Sequence, residues 1–162
     1  MAPRVSVPLL EEAVTSPEVV ARYRAKIVTV PGSGCHWWTG AISGRGHGRA
    51  WLGQGRVVIA HRLAMALAWG PQAAAAVEVA GHRCDNPLCQ RVDPAHLVAS
   101  TYEENRREYL GRQSLAGSPL GDPRGARGRA RELRDLARRD PALVAADLER
   151  LRRLYGEQLT LW

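Results

Sequence analysis

No stretch of this chain approaches the roughly 18 consecutive apolar residues that span a bilayer, and Met1 to Lys26 carries Glu11, Glu12 and Glu18 with no apolar leader region. A membrane span and a secretory signal are therefore not expected, and the chain reads as intracellular. Lysine is almost missing: Lys26 is the only one among 23 basic residues, the rest being arginine. Cysteine is scarce and odd in number, at Cys35, Cys84 and Cys89, which argues against a disulfide scaffold. Acidic residues are absent from His36 to Val77.

What is present fits one domain of ordinary size, 162 residues with 45% hydrophobic and 24% charged positions, close to the globular average and far from disorder. The net charge is +7. Arginine makes planar, bidentate contacts with phosphate, so the bias suits nucleic acid; a GC-rich coding sequence would produce the same arginine excess.

Along the chain, Ser16-Pro17-Glu18 starts a helix to about Lys26, with a capping serine, a proline in the first turn and an acid behind it. Ile27 to Val30 reads as a strand broken by Pro31-Gly32-Ser33-Gly34. Trp37–Thr39, Arg49–Leu52 and Arg56–Ile59 read as short strands, the first two separated by the turn at Gly44–Gly48. An alanine-rich helix runs from Ala60 to Gly70-Pro71. Val77–Ala80 and His96–Ala99 are brief strands around a loop, and Ser100 or Thr101 caps a helix from Tyr102 to about Leu110. Gly111 to Gly128 reads as a basic linker, and Arg129–Arg139 and Ala142–Tyr155 as amphipathic helices split by Asp140-Pro141. Their leucine faces suit dimerisation, and Gln158–Trp162 resembles the start of a further helix. Trp37, Trp38, Trp51 and Trp69 are expected in the core.

Two constellations carry chemistry. Cys84-x4-Cys89-x6-His96, with Cys35 upstream, offers three thiols and an imidazole, a donor set for tetrahedral zinc. The loop from His82 to Pro94 has little apolar content, and a metal would supply the energy to fold it. The alternative is three buried, unligated thiols. The second constellation is His82, at the end of the Val77–Ala80 strand, and Asn105, in the first turn of the following helix. A neutral imidazole there can take a proton from water, and a carboxamide oxygen can bind a hard cation such as magnesium or manganese. Singly, a histidine is more often structural and such an asparagine more often a cap.

Read together, Cys35-x-Trp-Trp-Thr-Gly, Gly46-His-Gly-Arg49, Ala60-His-Arg-Leu-Ala64, His82-Arg-Cys-Asp-Asn-Pro-Leu-Cys89, Asp93-Pro-Ala-His-Leu97 and Glu104-Asn105 resemble the His-Me finger (HNH, ββα-metal) endonucleases. The closest branch is the zinc-bound one of intron-encoded homing endonucleases and rare-cutting restriction enzymes. The resemblance covers Cys35 to Arg112, about half the chain. It implies an α+β fold: a small zinc-stabilised ββα-metal core with short antiparallel strands, flanked by N- and C-terminal helices. It implies His82 as general base, Asn105 as holder of a catalytic Mg2+ or Mn2+, Cys35, Cys84, Cys89 and His96 as structural zinc ligands, and Arg49 as a contact to the scissile phosphate. Three features depart from the family pattern: a long Cys89–His96 gap, Asp93 where asparagine is frequent, and no cysteine beyond Cys89 for a second zinc cluster.

The expected organisation is an N-terminal helical segment at 1–34, a nuclease core at 35–112, a basic linker at 113–128 and a C-terminal helical appendage at 129–162. The expected function is site-specific, restriction-like or homing-like, metal-dependent hydrolysis of phosphodiester bonds in double-stranded DNA, with a homodimer suited to cutting both strands; the competing reading is a non-catalytic zinc DNA-binding module. Arg45, His47, Arg49, Arg56 and Arg62, in the acid-free stretch, are expected to meet DNA, with Arg124, Arg127 and Arg129 as a flexible phosphate-binding arm. His61 is open between support and structure, and His36 is a weaker alternative to His96 as a zinc ligand.

Overall fold

The computed structural model describes residues 5–155; the expected helix start at Gln158–Trp162 lies outside them. Two helices come first, α1 (Val7–Thr15) and α2 (Pro17–Arg24). Ser16 Oγ accepts a hydrogen bond from Val19 N at 3.3 Å, which satisfies one of the N–H donors that a helix start leaves orphaned. The sequence signal at Ser16 therefore marks a real cap. The helix before it, α1, was not expected; Leu10 and Ala13 bury one side of it.

The strands are short and form three small antiparallel sheets. β1 (Ile27–Thr29) pairs with β2 (His36–Trp38), with Val28 opposite Trp37. β3 (Ala41–Ile42), β4 (Gly48–Gly53) and β5 (Arg56–Ile59) form the second sheet in chain order. Gln54 and Gly55 join β4 to β5 with both φ angles positive, 49° and 74°, the backbone of a two-residue type I′ hairpin. Then come α3 (Ala60–Trp69), α4 (Pro71–Ala76), β6 (Val79–His82), β7 (Leu97–Ser100), α5 (Tyr102–Gln113), a single 3-10 turn at Pro119–Gly121, α6 (Gly125–Arg139) and α7 (Pro141–Tyr155). The architecture is mixed α+β. No helix among the described residues is long and apolar enough to cross a membrane.

Trp38 organises the middle of the core. It is 1% exposed, and its indole N–H donates to Ala41 O at 2.8 Å. Gly40 and Gly48 lie flat against its ring: a β-carbon on either would fall 2.4 Å and 2.6 Å from ring atoms. The two glycines are thus fixed by the size of the indole.

Several expectations shift. The β2 strand pairs with β1, not with β4; the Gly44–Gly48 turn instead joins β3 to β4. β6 starts later than expected and includes His82, and α5 runs on to Gln113. Trp51 and Trp69 are exposed, 51% and 42%. Trp51 alternates with buried Ala50 and Leu52 on β4, so strand period places it outside, where the Arg22 guanidinium stacks 4.7 Å from its ring.

The segment read as a linker holds the 3-10 turn and the first turn of α6. The C-terminal helices share the one core: Ala130, Leu133, Ala137 and Val144 are buried with the residues of the N-terminal half. Much of the leucine surface read as a dimer face is covered from within, although Leu143 and Leu154 remain exposed.

Candidate functional site

Two separate segments supply a sulfur–nitrogen cluster. Cys35 leads into β2, Cys84 and Cys89 lie in the loop between β6 and β7, and His96 ends that loop. His96 Nδ1 stands 3.5 Å from Cys35 Sγ and 3.6 Å from Cys89 Sγ. The ligand atoms of all four residues lie within 4.8 Å of one another. A Zn–S bond of about 2.3 Å and a Zn–N bond of about 2.0–2.1 Å, set at a tetrahedral angle, place S and N about 3.5 Å apart. The cluster can hold a metal ion such as zinc. His36, the weaker alternative to His96, sits exposed on β2.

The sulfurs act on one another's ionisation. Hydrogen bonds from Cys84 and then Cys89 lower the Cys35 thiol. The same neighbours, Cys35 first, push Cys89 far above its ordinary value. One thiolate suppresses the next, and a bound dication removes that conflict.

The loop is also tied by the protein itself. Leu88 is fully buried, so packing contributes where the sequence suggested little. Gln90 N donates to His36 O at 2.8 Å and Trp38 N to Leu88 O at 2.9 Å. The Tyr23 hydroxyl donates to Gln90 Oε1 at 3.0 Å in the buried interior, and Arg91 donates to Gly34 O at 2.8 Å. Arg112, on α5, grips Asp85 at 2.9 Å, joining the catalytic-helix candidate to the loop between Cys84 and Cys89.

His82 ends β6 with its Nε2 at 3.3 Å from Cys89 O. A carbonyl can only accept, so this contact places the ring proton on Nε2 and leaves Nδ1 with a free electron pair. Two further imidazoles pack on it: His61 with ring centres 4.9 Å away and His47 at 5.7 Å, the latter two 5.1 Å apart. Burial, ahead of the neighbouring rings, holds His82 down to about 4 and His61 well below the ordinary histidine value. Burial and then Arg45 lower His47 as well.

Sequence reading missed this cluster, assigning His47 to DNA contact and leaving His61 undecided. The rings come from β3–β4, α3 and β6, and no local pattern announces a meeting of three such elements.

Asn105 stands in the first turn of α5, whose start is a full capping box: Thr101 Oγ1 accepts from Glu104 N at 3.1 Å, and Glu104 accepts from Thr101 N at 3.1 Å. Its Oδ1 lies 3.5 Å from the point where a β-carbon on Gly81 would stand. Gly81 and His82 are successive strand residues, which point to opposite faces. The His82 ring and the Asn105 carboxamide therefore flank the end of β6, and no hydrogen bond joins them.

The arginines divide. Arg45 and Arg49 are exposed, Arg49 on the outer face of β4, and Arg127 is exposed on α6. Arg56 pairs bidentately with Glu12. Arg62 donates to Ala74 O, Val77 O and Glu78 O at 3.3, 2.7 and 2.9 Å, bracing the end of α4 against the start of β6. Arg124 bonds Asp122 and Glu132 at 2.8 and 2.6 Å. Arg129 is buried, 3.6 Å from the Asp122 carboxylate. Arg62 and Arg129 are internal struts, and Arg124 is no flexible arm, because unpaired backbone carbonyls and a buried carboxylate claim these guanidinium groups.

No protein-family model matches the chain, and no solved structure matches it. Over 82 residues, 49% of its length, the chain is 34% identical to Protein 7.7 of Escherichia phage T7. The match spans 59% of that phage protein, whose name states no activity.

Proposed function

We propose that the chain is a metal-dependent endonuclease that hydrolyses phosphodiester bonds in double-stranded DNA, with a ββα-metal core formed by β6, β7 and α5. The observation that carries this reading is the His82 Nε2–Cys89 carbonyl contact. It ties the His82 imidazole to the Cys3His cluster and leaves on Nδ1 the electron pair that a general base uses.

In this reading Cys35, Cys84, Cys89 and His96 hold zinc, since three thiolates and an imidazole in a closed set favour that ion in a structural role. His82 Nδ1 accepts the proton of the attacking water. Arg49, exposed and unpaired among the described residues, lends positive charge to the phosphate. Asn105 Oδ1 would hold Mg2+ or Mn2+, which supplies charge neutralisation at the leaving oxygen when bound. One such site cuts one strand, so a homodimer suits double-strand cleavage and a palindromic target.

A supercoiled plasmid incubated with the zinc-loaded chain and Mg2+ or Mn2+ tests the reading. Nicked or linear product that disappears with EDTA is expected. DNA that is bound but intact under both metals would favour the non-catalytic zinc module instead.

A further inference from the structure

We propose that His47, His61 and His82 form a second metal site, for a borderline transition ion such as Zn2+, Co2+, Ni2+ or Cu2+, separate from the Cys3His cluster. One ring nitrogen from each residue lies within 4.8 Å of the other two, and no carboxylate belongs to the group. Neutral imidazoles suit zinc, copper and nickel, whereas magnesium requires oxygen.

Two independent features favour occupation. His61 is 7% exposed, and its Nδ1 has no hydrogen-bond partner among the described residues. A buried ring nitrogen left alone is costly, and a bound ion can satisfy a free ring nitrogen. The second feature is the far side of His82. Metal-ligating histidines nearly always donate their other N–H to a carbonyl or carboxylate, which fixes ring and tautomer, and His82 Nε2 has that arrangement with Cys89 O. His47 and His82 are only partly buried, which leaves the site open to an ion from solvent.

An ion bound here takes the electron pair on His82 that the nuclease reading requires. It would therefore block hydrolysis without displacing Mg2+ or Mn2+ from Asn105. This consequence rests on that reading; the binding itself does not.

The test uses the full chain already loaded with stoichiometric zinc. Titration with Co2+, followed by visible absorption and elemental analysis, should show a further equivalent of metal. Its spectrum should carry ligand-field bands with no thiolate charge-transfer band. His47→Gln and, separately, His82→Gln should each weaken this binding at least about 10-fold. Failure to take up a further equivalent overturns the proposal, as does cobalt that merely replaces zinc at the sulfurs. Binding unchanged in both variants overturns it too. Cobalt uptake as expected with DNA left intact under Mg2+ would sink the nuclease reading and leave the metal site standing. Cleavage without cobalt uptake would do the reverse.

Discussion

His82 can serve as a base only while one ring nitrogen stays bare. The Cys89 carbonyl fixes which nitrogen that is, so removal of the ring should be felt in chemistry far more than in folding. His82→Ala is expected to lower single-turnover cleavage by about 100-fold or more, with gel-shift affinity for DNA and the melting curve little changed. Cleavage near the wild-type rate would remove His82 from the mechanism. A second residue prediction concerns the turn that carries His47. Gly46 has φ +86°, and a β-carbon there would stand 2.9 Å from Ala126 O on α6. Gly46→Ala should cost roughly 1–3 kcal/mol in denaturant unfolding. Gly44→Ala in the same turn, where nothing lies within 4 Å, should be close to neutral. At this scale the sulfur and imidazole ligands were legible, because few side chains offer that chemistry and their spacing is compact. His47 and His61 were not, because their meaning lies in a contact among distant elements. Trp51 could have been read correctly: the alternation through Arg49, Ala50, Trp51 and Leu52 already places the indole on the arginine's face.

Among the elements, α5 was legible because its start is written locally. Thr101 and Glu104 close a capping box, and Asn105 follows directly. Losing the cap loosens the turn that holds the carboxamide. Thr101→Ala is expected to cost about 1 kcal/mol, to speed amide exchange in the first turn of α5, and to slow cleavage through weaker Mg2+ or Mn2+ dependence. Unchanged metal dependence with faster exchange would separate the cap from the site. The strand β5 and the start of α2 were equally local. By contrast, α1 and α4 went unread. In α4 the run Pro71-Gln-Ala-Ala-Ala-Ala76 follows a Gly-Pro break, and its helicity depends on packing against α1 and α3 as well as on alanine propensity.

At the scale of the molecule, the C-terminal helices are part of the fold because a buried ion network and the apolar core both reach them. Asp122 binds Arg124 at 2.8 Å and lies 3.6 Å from buried Arg129. The Arg124 guanidinium holds the Asp122 carboxyl below its ordinary value. A folded-state value below the unfolded one means that the carboxylate stabilises the fold at neutral pH, and this contribution is lost as pH falls through the acid range. Asp122→Asn should cost about 3 kcal/mol at neutral pH by removing from buried Arg129 the largest of its counter-charges, and should flatten the acid limb of the stability curve; an unchanged limb would place acid sensitivity elsewhere. No sequence pattern shows this network, because Gly111–Gly128 has the composition of a linker and only the core defines where it lies. A metal at the sulfur cluster would reach as widely. Its four candidate ligands join the segment before β2 to the loop between β6 and β7, so an ion there would add a cross-link to the shared core, the Trp37–Cys89 bridge and the Tyr23–Gln90 and Arg91–Gly34 hydrogen bonds. Binding to the folded chain alone adds its free energy to folding. Stripping the zinc with a strong chelator should therefore lower the melting temperature of the whole chain in a single transition, and zinc should restore it where magnesium does not. A melting curve that ignores the chelator, with zinc shown to be gone, would mean that packing alone holds the loop and that the four side chains brace nothing.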